Sequence, residues 1–144
     1  MKAEPLHFVL DSFAVLAYLQ KEAGELLVQR VLDQASRLKT EVFMCLVNLG
    51  EVAYITERKF GPKGVRAMLA LIDQLPIALL AADRGLTLAA AHIKSQFPLS
   101  YADAFAAALA LREQAALLTG DAEFRHVEHL ISISWLAGRK PRPV

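Results

Sequence analysis

At 144 residues, 55% hydrophobic and 22% charged, the chain is long enough to bury one sizeable core and too apolar to stay disordered. A formal net charge of +1 excludes a globally basic nucleic-acid binder but leaves room for a local basic patch. The longest apolar runs, such as 104–111, are too short to span a bilayer, and no basic segment followed by an apolar stretch opens the chain, so neither a membrane helix nor a signal peptide is expected.

His7 to Leu10 reads as a short buried strand, and Ser12 to Gln20 as a helix with apolar residues at helical spacing. Residues 24–36 are amphipathic: Leu26, Leu27, Val31 and Leu32 share one face, Gln29, Arg30 and Asp33 the other. Val42 to Leu46 is a second strand. Asn48 then caps a helix running to about Phe60, which Gly61-Pro62 ends. A further helix covers about Lys63 to Gln74. Ile77 to Leu80 is a third strand, and Asp83 caps a helix reaching about Gln96. Ser100 opens a strongly apolar helix to about Glu113. Ala116 to Leu118 is a fourth strand, followed by a short helix from Ala122, and Ile131 to Trp135 is a fifth. Short apolar strands alternating with helices imply an α/β fold, with parallel pairing and helices on both faces. No linker or repeat divides the chain, so one domain is expected over residues 1–138, with a flexible basic tail over 139–144. The lone Cys45, inside VFMCLV, is expected to be a buried thiol. No disulfide can form within the chain, which favours the cytoplasm.

Four acids stand where apolar runs stop or are interrupted: HFVL-Asp11, CLVNLG-Glu51, SYA-Asp103 and ALLTG-Asp121. A carboxylate among apolar neighbours is costly unless it is paired, hydrogen-bonded or bound to a metal. Taken singly, each serves as a helix cap: Asn48-x-x-Glu51 and Ser100-x-x-Asp103 have capping-box spacing, and Asp11 and Asp121 each precede a helix. In a parallel sheet, however, strand C-termini and helix N-termini meet on one edge, where ligands bind. The four caps would then be neighbours, and four crowded carboxylates repel unless a divalent cation neutralises them. All-oxygen ligands suit Mg²⁺ or Mn²⁺. Such a site can activate a water and stabilise charge on a phosphodiester with no protein nucleophile. The sequence holds neither a phosphate-binding glycine loop nor a convincing Ser–His–Asp or Cys–His set.

LDSFAVLAYL, NLGEVAY, SYADAFAAALA and LLTGDAEF, in this order and spacing, resemble the four signature segments of PIN-domain nucleases. The nearest likeness is to VapC-type toxins of toxin–antitoxin pairs, over about residues 6–136. The resemblance implies a three-layer α/β/α sandwich on a mostly parallel, roughly five-stranded sheet. It also implies a Mg²⁺- or Mn²⁺-dependent endoribonuclease acting on RNA, a homodimer, and inhibition by a cognate antitoxin. Asp11, Glu51, Asp103 and Asp121 match its acidic positions, as catalytic and metal-binding residues. Ser12 matches the small polar residue after the first acid, and Thr119 the hydroxyl residue before the last. The resemblance and charge complementarity together predict an apolar groove beside the acidic crevice, with the antitoxin inserting an Arg among the carboxylates.

Other readings are bland or rival. Thr119 can serve Asp121, a metal-bound water or a local turn. Asn48 can support Glu51 as well as cap its helix. Ala106, Ala107 and Ala110 share the face of Asp103 and suit either a tight helix crossing or room for a substrate. His126 and His129, spaced i and i+3, fit a polar surface. Arg125 is a candidate phosphate contact. Trp135 and Phe124 read as core. A basic patch would draw on Arg58, Lys59, Lys63 and Arg66, and on Arg139, Lys140 and Arg142 of the tail; as readily, these form a solvated face. The rivals to a nuclease are a non-catalytic RNA- or protein-binding module and a phospho-acceptor receiver domain. The second would use Asp83 and Thr119, but Asp11 lacks the acidic neighbour that such a fold wants. A dehalogenase-like phosphatase would need a second Asp where Phe13 stands.

Overall fold

The computed structural model describes residues 7–136. Its strands are β1 (His7–Leu10), β2 (Glu41–Cys45), β3 (Ala78–Leu80), β4 (Ala116–Thr119) and β5 (Ile133–Trp135). They form one sheet in the order β3-β2-β1-β4-β5. All pairings are parallel; in the centre, Phe8 sits between Val42 and Ala116. The helices are α1 (Ser12–Leu19), α2 (Glu25–Ser36), α3 (Leu46–Gln74), α4 (Arg84–Gln96) and α5 (Tyr101–Glu113), with a short 3-10 helix at Ala122–Val127.

The apolar runs bury both faces of the sheet, as a parallel sheet requires. Val9, Cys45 and Leu117 point into one core with α4, α5 and the 3-10 helix. Phe8, Leu10, Val42, Met44, Ala116 and Leu118 point the other way, into a core with α1, α2 and α3. The three-layer α/β/α sandwich expected from the sequence is therefore present, with a sheet that is parallel throughout. Cys45 is a buried free thiol. Among the described residues no helix is long and apolar enough to cross a membrane.

Two glycines shape the helical layer. Gly24 opens α2 at φ 96°, and a Cβ there would come within 2.8 Å of the Leu136 Cβ. Gly61, at φ 73°, kinks α3 between Phe60 and Pro62. The two helices expected on either side of Gly61-Pro62 are thus joined by a kink rather than parted by a loop. Pro62 opens the second half, where its missing N–H does no harm.

Two expectations need correction. Leu46 belongs to α3, not to the second strand, because β2 turns straight into the helix at Cys45 (φ −73°, ψ 140°). Asn48 therefore does not cap α3. It lies inside the first turn and is fully buried. The basic tail 139–144 falls outside the described residues, as does the end of the expected domain.

Candidate active site

The strand order reverses at β1: β2 and β3 extend to one side, β4 and β5 to the other. At such a point the connections diverge and leave a crevice beyond the C-terminal strand ends. Asp11 directly follows β1, and Asp121 stands two residues past β4. The helix α3 touches α1 on one face of the sheet and α5 on the other, so it straddles this same edge. It carries half-buried Glu51 in its second turn. Ser100 caps α5 by accepting from the Asp103 N–H at 3.1 Å, which sets buried Asp103 in the first turn.

All four predicted acids converge. Burial raises the Asp11 pKa to about 7, against the pull of its bonds to Thr119 and the Ala14 N–H and with repulsion from Asp121 and Glu51. Burial also raises Asp103 to about 8, reinforced by repulsion from Asp121, Asp11 and Glu51. These are carboxyl groups held together without enough positive charge.

Backbone and hydroxyl donors fix their positions. Asp11 caps α1, its Oδ1 accepting from the Ala14 N–H at 2.8 Å. Its Oδ2 accepts from the Thr119 hydroxyl at the end of β4. Thr119 Oγ1 in turn accepts from the Asp121 N–H at 3.0 Å. One buried hydroxyl thus ties the acid after β1 to the acid after β4. Ser12 Oγ donates to the Asn48 carbonyl at 3.2 Å, and Asn48 Nδ2 donates to the Ala102 carbonyl at 3.0 Å. Asn48 therefore links α1, α3 and α5 one residue from Asp11 and from Asp103. Its buried Oδ1 finds no partner among the described residues.

A fifth acid was not singled out in the sequence. Carboxylate oxygens of Asp103, Asp121 and Glu123 lie within 4.8 Å of one another. Asp121 caps the 3-10 helix by accepting from the Glu123 N–H at 3.0 Å, which turns Glu123 back toward the cluster. The only sequence signal is Asp-x-Glu after a strand, which is common on surfaces. Ala106, Ala107 and Ala110 are fully buried and pack in the core, which decides for a tight crossing. His129 stacks edge-on against Phe97 and takes no part in the acidic group. Arg125 lies over Trp135, 6.0 Å from the ring centroid, and Phe124 is core as expected. Asp83 is an exposed cap of α4 paired with Arg112.

The sequence profile of the PIN domain family matches residues 8–130. The chain belongs to the PIN domain family. Among curated proteins none matches significantly. Solved structures share the fold of this PIN domain at low identity. DNA-bound VapBC from Salmonella typhimurium matches with TM-score 0.72 and 18% identity over 92% of this chain and 99% of the other. Promoter-bound VapBC2 from Rickettsia felis gives 0.69 and 13% over 89% and 97%. VapC20 of Mycobacterium tuberculosis, described as a sarcin–ricin loop cleaving toxin, gives 0.64 and 17% over 82% and 92%.

The Thr119 bridge gives a stability prediction for this PIN domain. Thr119→Val keeps the shape but strips Asp11 Oδ2 of its donor and the Asp121 N–H of its acceptor. The expected loss is about 1–3 kcal/mol, read as a lower denaturation midpoint, with Thr119→Ser close to wild type. Equal midpoints for Val and wild type would show that the hydroxyl is replaceable by solvent.

Proposed function

We propose that this PIN domain is a Mg²⁺- or Mn²⁺-dependent endoribonuclease, acting as the toxin of a toxin–antitoxin pair. The observation that carries this reading is the convergence of Asp11, Glu51, Asp103 and Asp121 at the switch point, with Asp11 and Asp103 pushed up to about 7 and 8. That crowding fits a hard divalent cation, and the donor set is all oxygen. The unpaired Asn48 Oδ1 is an acceptor suited to a water of the ion's shell.

Asp11, Asp103 and Asp121 would hold the ion, with Glu123 completing the open side. When bound, the metal supplies charge for the phosphodiester oxygens and acidifies a water. The chain's own residues do the rest. Thr119 and the Ala14 N–H hold Asp11 in one orientation, leaving free lone pairs on each oxygen. Glu51, half-buried at the edge of the crevice, would hold the attacking water and take its proton as the water oxygen bonds phosphorus; the P–O bond to the leaving ribose oxygen breaks, and that oxygen takes a proton from solvent. Asn48 keeps α3 and α5 in register, so that Glu51 and Asp103 face the same phosphate.

A partner fits the other side of α3. A groove of about 660 Å³ runs between α1 and the two halves of α3, lined by Leu16, Leu19, Phe60, Met68 and Leu71. An amphipathic antitoxin segment would seat there and reach the acids with an Arg. The expected homodimer has a candidate face at α4 and α5, where Ala89, Ile93 and Leu111 line a shallow apolar hollow.

The test is incubation of purified protein with total cellular RNA in Mg²⁺, in Mn²⁺ and in EDTA, beside Asp11→Asn. Discrete fragments that need metal and vanish in the variant are expected. Cleavage that persists in EDTA or in Asp11→Asn would sink the mechanism. No cleavage by folded, inhibitor-free protein would favour a non-catalytic RNA- or protein-binding domain.

A further inference from the structure

The four cations near the α3 kink do not form one patch. Lys59 lines the apolar groove and lies 5.4 Å from the Phe60 ring centroid. Lys63 and Arg66 lie past the Gly61 kink. Arg58 belongs elsewhere. Glu51, Tyr54 and Arg58 follow i, i+3, i+7 spacing and share one face of the straight first half of α3. Helical rise places Tyr54 about 4.5 Å and Arg58 about 10 Å along the axis from Glu51. Thr56 and Phe60, which line the groove, fall on a different face.

Tyr54 is half exposed, with 49% of its surface open. The Arg58 guanidinium stands over its ring, 5.0 Å from the centroid, and Arg58 has no carboxylate partner among the described residues. The guanidinium covers one face of the ring and leaves the rest of the half-exposed ring, and its own outer N–H groups, open on the Glu51 face of α3. A cluster that repels anions needs a cation nearby to bring a polyanion onto it. An aromatic face next to that cation gives a base something to stack on.

We propose that Tyr54 and Arg58 form a subsite for single-stranded RNA next to the cleavage centre: a base stacks on the Tyr54 ring and Arg58 holds its phosphate. The assignment rests on the nuclease reading and extends it to where the strand lies. Because the stripe and the groove are on different faces of α3, a segment filling the groove leaves this subsite open.

The test is binding of a fluorescein-labelled, mixed-sequence single-stranded RNA, followed by anisotropy in EDTA, so that affinity is read without turnover. Tyr54→Ala is expected to weaken binding about tenfold and Tyr54→Phe to keep it, because stacking needs only the ring. Arg58→Ala is expected to weaken binding similarly and to lower the slope of log affinity against log salt by about one. Lys63→Ala and Arg66→Ala serve as controls, with changes under about threefold. Unchanged affinity and salt slope in Tyr54→Ala and Arg58→Ala would overturn the subsite. So would loss of a dimer in these variants with unchanged affinity, since the stripe would then face a second copy. If the wild type cleaves RNA but the variants bind normally, only the subsite fails; if the wild type neither binds nor cleaves, the nuclease reading fails with it.

Discussion

Asp103→Asn is expected to cut metal-dependent RNA cleavage by more than about a hundredfold while leaving the fold intact. Loss of a partner that merely orients a metal ligand costs about 10- to 100-fold in metal affinity or activity, and Asp103 stands closer to the chemistry than that. Asp103 and Asp121 belong both to the four acids of the crevice and to the trio with Glu123, and of these two only Asp103 is buried. Asn preserves shape and removes a charge that burial and three neighbouring carboxylates already disfavour. The metal-free variant should therefore melt no lower than wild type at neutral pH. The check is a paired measurement, cleavage rate in Mg²⁺ and melting temperature in EDTA. Cleavage within a factor of a few of wild type would remove Asp103 from the machinery. Lost cleavage together with a collapsed melting temperature would make it a structural residue instead.

Much of this site can be read in the sequence because its parts are local. Strand ends and helix starts are marked by apolar runs that stop at a polar residue, and a parallel sheet puts those marks on one edge. Asp11, Asp103 and Asp121 were found in this way. Asn48 was misread because β2 enters α3 at Cys45 with no loop, and nothing local says whether a strand will turn into a helix directly. Its contact with Ala102 spans fifty-four positions and has no local signature. Glu123 was missed for a similar reason. Its place depends on the tight 3-10 turn that Asp121 caps, whereas an exposed acid two residues after another is ordinary. The basic residues were the least legible. Arg58, Lys59, Lys63 and Arg66 are close in sequence, but helical phase and the Gly61 kink send them to different surroundings.

The metal-free protein is expected to lose stability as pH rises from about 4 to about 8, and Mg²⁺ is expected to remove that loss. In the unfolded chain both aspartates ionise near 3.8; folded, Asp11 and Asp103 hold their protons to about 7 and about 8. Across that window the folded state binds more protons than the unfolded one, so its stability falls with rising pH. Each pKa unit corresponds to about 1.4 kcal/mol, so buried Asp11 alone sets a scale on the order of 4 kcal/mol. A divalent cation reverses the balance: it binds only the ionised carboxylates, so its contribution grows over the same window. Melting curves in EDTA should therefore shift down between about pH 5 and pH 8, while those in excess Mg²⁺ should stay level or rise. Asp11→Asn combined with Asp103→Asn should flatten the EDTA series. An EDTA series already flat in the wild type would mean that the carboxylates ionise freely when the protein folds, and the crowding that argues for a metal would be gone.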